Sequence, residues 1–279
     1  MFDGACDSFV LLFLECIKKA CGNSDPDRPT FYITEDHRYG VLRRYVASGN
    51  GWDALHADND STRFLNMNLN DNDENGGRFE WTANHGKGKQ SAYLYHPNLE
   101  GIDHHDGKLY FVSKRIKRLF ILDLEASTFI AEDTGVRLIG DGSFENRPDG
   151  LFRGDNGGFG GGQYLYFTED GGRTPGVYLR DEKGDYHTVF EAYNEGEGFY
   201  KGDETVGLAL SPDGTKIYAG FQDCGCEESG EADCGCLFEF SRDDGMSFNG
   251  VQINLKHHGG TGVARRRTSD GKEFLRGAK

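Results

Sequence analysis

Two copies of a Thr-Glu-Asp tripeptide are the first candidates for chemistry in this sequence. Thr34-Glu35-Asp36 follows the apolar run Phe31–Ile33, and Thr168-Glu169-Asp170 follows the run Tyr164–Phe167. Carboxylates that converge from neighbouring strands repel one another unless a cation lies between them, and calcium prefers such oxygen ligands. The repeat predicts metal binding by its four acids: Glu35, Asp36, Glu169 and Asp170. A turn in which Asp and Glu bind the backbone at a strand end is the alternative.

Three further acids precede short apolar runs elsewhere in the chain. Glu100 comes before Gly101-Ile102, Asp149 comes before Gly150-Leu151, and Glu204 lies three residues before Gly207-Leu208. We expect all three just before the first strand of a repeated sheet unit. In that position they would face one end of a common channel and add to the metal site.

These acids lie within or just before four similar segments, Thr30–Tyr45, Gly101–Leu124, Arg147–Arg180 and Val206–Phe240. The shared order is an apolar run, a turn, a strand, a polar turn and a second strand. Two of the turns are Asp-Gly, which is a strong hairpin signal between alternating apolar runs. The anchors Tyr110, Tyr166 and Tyr218 recur after 56 and 52 residues, near the length of a four-stranded propeller blade.

The pattern predicts an all-β fold, a β-propeller of four-stranded antiparallel blades. About four to five blades are expected, so the propeller would be incomplete. Two alternating segments, Gly77–Thr82 and Ser91–Tyr95, predict additional strands between the first and second repeats. The predicted organisation is an irregular or short helical segment over 1–24, the propeller over 25–256 and a basic, flexible tail over 257–279. A non-native start is the alternative for 1–24.

Composition restricts the partners. The net charge is −15, which disfavours nucleic acid, because binding to phosphate backbones needs Lys and Arg, and also disfavours anionic membranes. The charge suits calcium, and it also suits simple solubility in a salty or extracellular fluid. No apolar run approaches the ~20 residues that span a bilayer. We expect a monomer with no nucleic-acid or membrane partner.

Seven cysteines are unevenly distributed, and the odd count leaves at least one without an intrachain disulfide partner. Four of them form a late cluster with CxC spacing: Cys224, Cys226, Cys234 and Cys236. Two disulfides, a tetrahedral zinc site and free thiols are all compatible with the cluster. CxxC is the more usual zinc spacing, which weakens the zinc alternative.

Several motifs, in this order, resemble the PhoX-like family. They are PTFYITEDHRYGVLRRY from Pro29, NLEG from Asn98 followed by DGKLYFVS, RPDGL from Arg147 followed by YFTEDGG, and ETVGLALSPDGTKIYAGFQ from Glu204. The resemblance covers roughly Asp25 to Phe248. It implies a secreted β-propeller alkaline phosphatase that binds calcium and iron. No convincing signal peptide surrounds the apolar run Phe9–Ile17.

The resemblance also implies roles for single residues. Glu100 and Asp149 match acids that hold the iron centre, and Glu35, Glu169 and Glu204 match acids associated with the metal cluster. The implied reaction is metal-assisted hydrolysis of a phosphomonoester, in which cations neutralise phosphate oxygens and orient the attacking group.

The sequence departs from the family in two places. The family's Asn-Cys-Ala-Gly-Gly and Cys-Glu-Glu motifs, which supply iron ligands, are not present, so we expect an N-terminally truncated member. Asn98 stands where the phosphatases have a phosphate-binding arginine, and an amide cannot supply its charge or two-pronged fit. Arg38 and Arg173 are candidate substitutes, unless they are solvated surface residues. The alternative function is a non-catalytic, calcium-stabilised propeller that binds a protein or a glycan.

Overall fold

The structure is a computed structural model of the chain. It describes these residues: 17–22, 29–48, 61–70, 73–134, 138–139, 144, 147–153, 164–171, 175–191, 204–222, 235–243, 245, 247–248, 265–267 and 273–275. For 17–22, 73–74, 265–267 and 273–275 it describes the backbone alone. The chain divides into two compact units, unit 1 (Met1–Asp133) and unit 2 (Thr134–Lys279).

Among the residues of unit 1 that the structure describes, there are nine strands and one helix. They are β1 (Ile17–Gly22), β2 (Thr30–Glu35), β3 (Arg43–Val46), β4 (Arg63–Asn70), β5 (Asp73–Thr82), α1 (His85–Tyr95), β6 (Leu99–His105), β7 (Lys108–Ser113), β8 (Arg118–Asp123) and β9 (Thr128–Asp133). The strands form one antiparallel sheet in the order β1-β2-β3-β4-β5-β9-β8-β7-β6. It consists of meander 1 (β1–β4) and meander 2 (β6–β9), joined by β5.

Turn chemistry explains the β6–β7 hairpin of meander 2. Asp106 and Gly107 both have positive φ, 46° and 69°, as the two central residues of a type I′ turn require. The hairpin that Asp-Gly predicts is therefore present. Behind it, Leu109 and Phe111 are fully buried, and Phe111 stacks on Phe120 with ring centroids 5.0 Å apart. These side chains belong to the apolar core of unit 1.

One of the two additional strand predictions was wrong. Gly77–Thr82 is the end of β5, but Ser91–Tyr95 is the last part of α1. The side chain of Asn84 caps this helix by accepting a hydrogen bond from the Lys87 N–H at 3.2 Å. The buried positions of the helix recur at spacings of three and one, which suits one helical face rather than alternation. A window of five residues is too short to distinguish the two patterns.

The described residues of unit 2 form ten strands in two sheets of five. The first has the order β10-β14-β13-β12-β11 and the second the order β15-β16-β17-β18-β19. The strands are β10 (Leu138–Ile139), β11 (Arg147–Arg153), β12 (Leu165–Asp170), β13 (Gly176–Arg180), β14 (Tyr186–Glu191), β15 (Thr205–Leu210), β16 (Lys216–Gln222), β17 (Gly235–Ser241), β18 (Arg265–Arg267) and β19 (Glu273–Leu275). Meander 3 is β11–β14, and meander 4 is β15–β19.

Large aromatic side chains fill the core of unit 2. Tyr166 is fully buried and packs with residues of both meanders. Its hydroxyl donates a hydrogen bond to the Phe248 carbonyl at 2.6 Å, which satisfies a polar group that burial would otherwise isolate. Tyr178 is also fully buried and stacks on Phe144 with centroids 4.2 Å apart.

The ends of the chain contain paired backbone. β1 lies within the segment expected to be irregular or helical and pairs with β2. β18 and β19 lie within the segment expected to be a flexible tail, and β18 pairs with β17. Among the described residues, no helix is long and apolar enough to cross a membrane.

Candidate functional site

A β-bulge interrupts the first strand pair of three meanders. In meander 2, the register jumps between Leu99 and Ile102, so Glu100-Gly101 face the single residue Val112. In meander 3, the jump between Pro148 and Leu151 sets Asp149-Gly150 opposite Thr168. A bulge redirects the side chains beside it and often lies next to a functional site.

The third bulge, in meander 4, lies between Val206 and Leu208. Its extra residue is Gly207, with φ of 61°, which glycine adopts without steric cost. The position before this glycine is Val206, whereas meanders 2 and 3 have Glu100 and Asp149 there. Glu204 lies outside β15, and its carbonyl accepts a hydrogen bond from Gln222 N–H at 3.0 Å.

The expectation that all three acids lie just before a first strand was therefore wrong for two of them. Glu100 and Asp149 lie inside their strands, at the bulge, and only Glu204 directly precedes its strand. The sequence showed the recurring glycine, but it did not show the register shift that the glycine accompanies. Convergence of the acids of different repeats at one end of a channel stays a prediction.

The threonines of the two Thr-Glu-Asp copies bind these bulges. Thr168 Oγ1 accepts a hydrogen bond from Gly150 N–H at 2.6 Å, and Thr34 Oγ1 donates one to the Glu100 carbonyl at 2.7 Å. Both threonines are fully buried. A Cβ on Gly150 would lie 2.7 Å from Thr168 Oγ1, so this close approach requires glycine. Each threonine thus fixes the backbone that carries a candidate metal ligand.

The registers also show what replaces Thr-Glu-Asp in the second meander. Ser113 pairs with Leu99 just before its bulge, as Glu169 pairs with Pro148. Val112-Ser113-Lys114 therefore occupies the place of Thr168-Glu169-Asp170. Lys114 corresponds to the aspartate of the motif, and its N–H donates to the Asn98 carbonyl at 3.0 Å.

Lys114 lies between two of the predicted metal ligands of unit 1. Its Nζ is 2.6 Å from Asp36 Oδ2 and 2.7 Å from Glu100 Oε1. Glu100 is 5% exposed, and such burial of a carboxylate is costly unless an opposite charge compensates it. Burial raises the pKa of Asp36, but the hydrogen bonds from Lys114 and Asn98, the Lys114 charge and the interaction with the Glu100 side chain outweigh it, so the pKa is lowered.

Asn98 supports the same arrangement. Its side-chain Nδ2 donates a hydrogen bond to Asp36 Oδ1 at 2.9 Å. Its φ is 53°, a conformation that asparagine tolerates better than most residues. The residue that stands in place of the family's phosphate-binding arginine is therefore engaged with a carboxylate.

The two remaining polar candidates of unit 1 also have protein partners. Arg43 Nη2 donates to Glu35 Oε1, and Val41 N–H donates to Glu35 Oε2 at 3.3 Å. Arg38 lies with its guanidinium carbon 4.8 Å from the centroid of the Tyr93 ring and donates to the Tyr93 hydroxyl at 3.1 Å. Arg173, the other candidate for phosphate binding, lies outside the described residues.

In unit 2, two glutamates meet at one buried hydroxyl group. Tyr178 OH is 3.0 Å from Glu169 Oε2 and 2.7 Å from Glu191 Oε1. Burial first, and then the charges of Glu169 and Glu191, raise the pKa of Tyr178. A hydroxyl has one proton, so it cannot donate to both carboxylates at once. This concentration of negative charge favours an additional proton or a cation.

Asp149 and Asp170 lie in the same strand pair as Glu169. Asp149 is 6% exposed and Glu169 is 1% exposed. Their strands pair directly, with Pro148 opposite Glu169 and Arg147 opposite Asp170. Meander 3 therefore carries three predicted metal ligands within one strand pair, two of them buried.

The candidate metal ligands of the two units differ in how well they suit calcium. Meander 3 offers hard carboxylate oxygens, the kind calcium prefers. In unit 1, the ammonium group of Lys114 already lies between Asp36 and Glu100, so these residues do not fit a cation. Within the part of the chain that the structure describes, no three His, Cys, Asp or Glu side chains form a group that could hold a metal ion.

The cysteine cluster is described at one position. Cys236 is disulfide-bonded, which excludes zinc ligation and a free thiol for this residue. Cys224, Cys226 and Cys234 lie outside the described residues.

Comparison with known proteins shows a similarity of fold. No family model matches the sequence, and no curated protein matches it. PhoX of Pseudomonas fluorescens, solved in complex with vanadate, a transition state analogue, is similar in structure over 86% of this chain, with a TM-score of 0.56 and 17% identity. This chain covers 54% of the PhoX chain, about half its length.

Two other propeller-like structures are less similar. Regucalcin, a calcium-binding protein of Agrobacterium tumefaciens, matches 50% of this chain and 39% of its own at 14% identity and a TM-score of 0.33. Virginiamycin B lyase of Staphylococcus aureus matches over 94% of this chain and 88% of the lyase chain, with 15% identity and a TM-score of 0.34. The PhoX likeness and the antiparallel meanders confirm the fold class, an incomplete β-propeller with four meanders among the described residues.

Sequence reasoning missed three residues of these sites: Lys114, Tyr178 and Glu191. Lys114 could have been found by aligning Val112-Ser113-Lys114 with the two Thr-Glu-Asp endings. Tyr178 and Glu191 gave no signal of their own, because tyrosine and glutamate are ordinary residues of propeller strands.

Proposed function

We propose that the chain is part of a PhoX-like, metal-dependent hydrolase of phosphoric monoesters, with calcium and iron as its cofactors. The observation that carries the proposal is the acid-glycine bulge of meander 3. There Asp149 and Glu169 are both buried in one bulged strand pair, on a fold similar to that of a protein that binds vanadate. Vanadate resembles phosphate in an in-line displacement, so the likeness favours phosphoryl chemistry.

The residues of meander 3 have separate tasks in this proposal. Asp149 and Glu169 would hold the cations, and Thr168 positions Asp149 through its bond to Gly150 N–H. Tyr178 orients the Glu169 carboxylate through its hydroxyl, as outer hydrogen-bond partners commonly orient metal ligands. Bound cations would neutralise the phosphate oxygens and lower the pKa of an attacking water.

Hydrolysis of 4-nitrophenyl phosphate by the purified chain tests the proposal. With calcium and iron(III) supplied, we expect release of phosphate that a chelator abolishes and that vanadate inhibits. Glu169→Gln should lower the rate by at least about 10-fold to 100-fold, the range found when only an outer hydrogen-bond partner of a metal ligand is changed. Asp123→Asn, at the end of β8 away from the bulge of meander 2, is the control and should retain the rate. An absence of turnover under all metal conditions would overturn the proposal.

A second function is favoured by one observation. Asn98 binds Asp36 and leaves no arginine at this position, which suits a non-catalytic, calcium-stabilised propeller that binds a protein or a glycan. In that case calcium would raise the melting temperature, while the monoester would not be turned over. A melting temperature that responds neither to calcium nor to a chelator would exclude this alternative.

A further inference from the structure

Meanders 2 and 3 carry opposite charges at one corresponding position. This position, at the end of the second strand of the pair, is Asp170 in meander 3 and Lys114 in meander 2, as the registers of their bulged strand pairs show. An acid that could bind a cation is thus replaced by a residue that is itself a cation.

Lys114 lies between two carboxylates whose negative charges would otherwise need a metal ion to balance them. The two carboxylates it contacts come from different meanders, because Asp36 follows β2 and Glu100 lies in β6. Lys114 Nζ is within 2.7 Å of an oxygen of each. We infer that the Lys114 ammonium group takes the place of a divalent cation in unit 1 and ties meander 1 to meander 2 without metal.

The chemistry of the ammonium group supports this assignment. It has three donors and no acceptor, so it can bind two carboxylates at once. It is also a compact point charge, as a metal ion is. The side chain of Lys114 is 20% exposed and that of Glu100 is 6% exposed, so solvent screens the pair weakly.

A divalent cation next to the Lys114 ammonium group would lack the ligands it needs. Calcium takes six to eight oxygen ligands, and Asp36 already accepts hydrogen bonds from both Lys114 and Asn98. An ammonium group at the same point would repel the ion. The repeated Thr-Glu-Asp ending predicts Asp36 as a metal ligand, and the family resemblance implies Glu100 as another. In this chain both therefore serve as partners of a lysine.

Melting and calcium titration of the full chain test the inference. In chelator, Lys114→Ala should melt lower than the unmodified protein by about 4 °C or more, since it leaves a buried carboxylate without its partner. Calcium should restore part of this loss. Lys114→Asp, which recreates an acidic strand ending, should bind one more calcium ion per chain by calorimetry. Lys108→Ala, at the exposed start of the same strand, is the matched control and should behave as the unmodified protein.

Two outcomes would overturn the inference. One is a Lys114→Ala protein that melts and binds calcium as Lys108→Ala does. The other is a Glu100→Gln protein that binds fewer calcium ions than the unmodified chain, which would make Glu100 a metal ligand. The second measurement decides the matter even if the Lys114 variants do not fold. An unmodified chain that binds no calcium would contradict the proposed phosphatase but would leave the role of Lys114 intact.

Discussion

At the scale of single residues, His96 is a neutral base enclosed in the core of unit 1. It is fully buried, its Nε2 is 3.3 Å from Ser91 Oγ, and the Phe111 and Phe120 rings approach it edge-on. Among the described residues, its Nδ1 has no hydrogen-bond partner. Burial lowers the pKa of His96 to about 4.

This depressed pKa predicts acid sensitivity. The unfolded chain binds a proton at His96 near pH 6.5, whereas the folded chain does so only near pH 4. Stability is therefore complete above pH 6.5 and falls as the pH drops toward 4, by about 3 kcal/mol for this group. Urea unfolding of unmodified and His96→Leu protein between pH 7.5 and 4.5 measures the effect. Equal pH slopes for the two proteins would contradict it.

At the scale of elements, the bulge decides where each acid points. The Asp-Gly hairpin and the glycine after each acid could be predicted, because turns and close approaches demand specific residues. The register shift could not, since it depends on how a strand pairs with its neighbour. The contact of Lys114 with Asp36 and Glu100 follows from that pairing, and a lysine at a strand end is otherwise read as solvated.

Gly150 gives a direct test of the bulge. Gly150→Ala places a Cβ 2.7 Å from Thr168 Oγ1, and we expect a loss of about 1–3 kcal/mol, as for other overpacked buried sites. Gly235→Ala, whose Cβ would lie 3.5 Å from its nearest neighbour, the Phe221 carbonyl oxygen, is the control and should cost little. Urea unfolding of both variants measures the difference. A Gly150→Ala protein as stable as the control would show that the bulge does not need glycine.

At the scale of the whole molecule, repetition made the fold predictable. Four similar segments with blade-length spacing indicate a propeller, because each sheet unit buries its faces only against others. The site is harder to predict than the fold, since repeats with one backbone plan carry different residues at equivalent positions. Meander 3 keeps Asp149 with Glu169, meander 2 pairs Glu100 with Lys114, and meander 4 has Val206 before its glycine.

The most direct test of a phosphate-binding metal site is the effect of vanadate on the melting temperature of the full chain. With calcium and iron(III) present, vanadate at 100 times its dissociation constant should add about 2.7 kcal/mol to the free energy of unfolding, and so raise the melting temperature. The shift should vanish in chelator and in Glu169→Gln, and persist in Asp123→Asn. A vanadate shift that is absent, or that is unchanged by chelator, would contradict a PhoX-like metal site in meander 3.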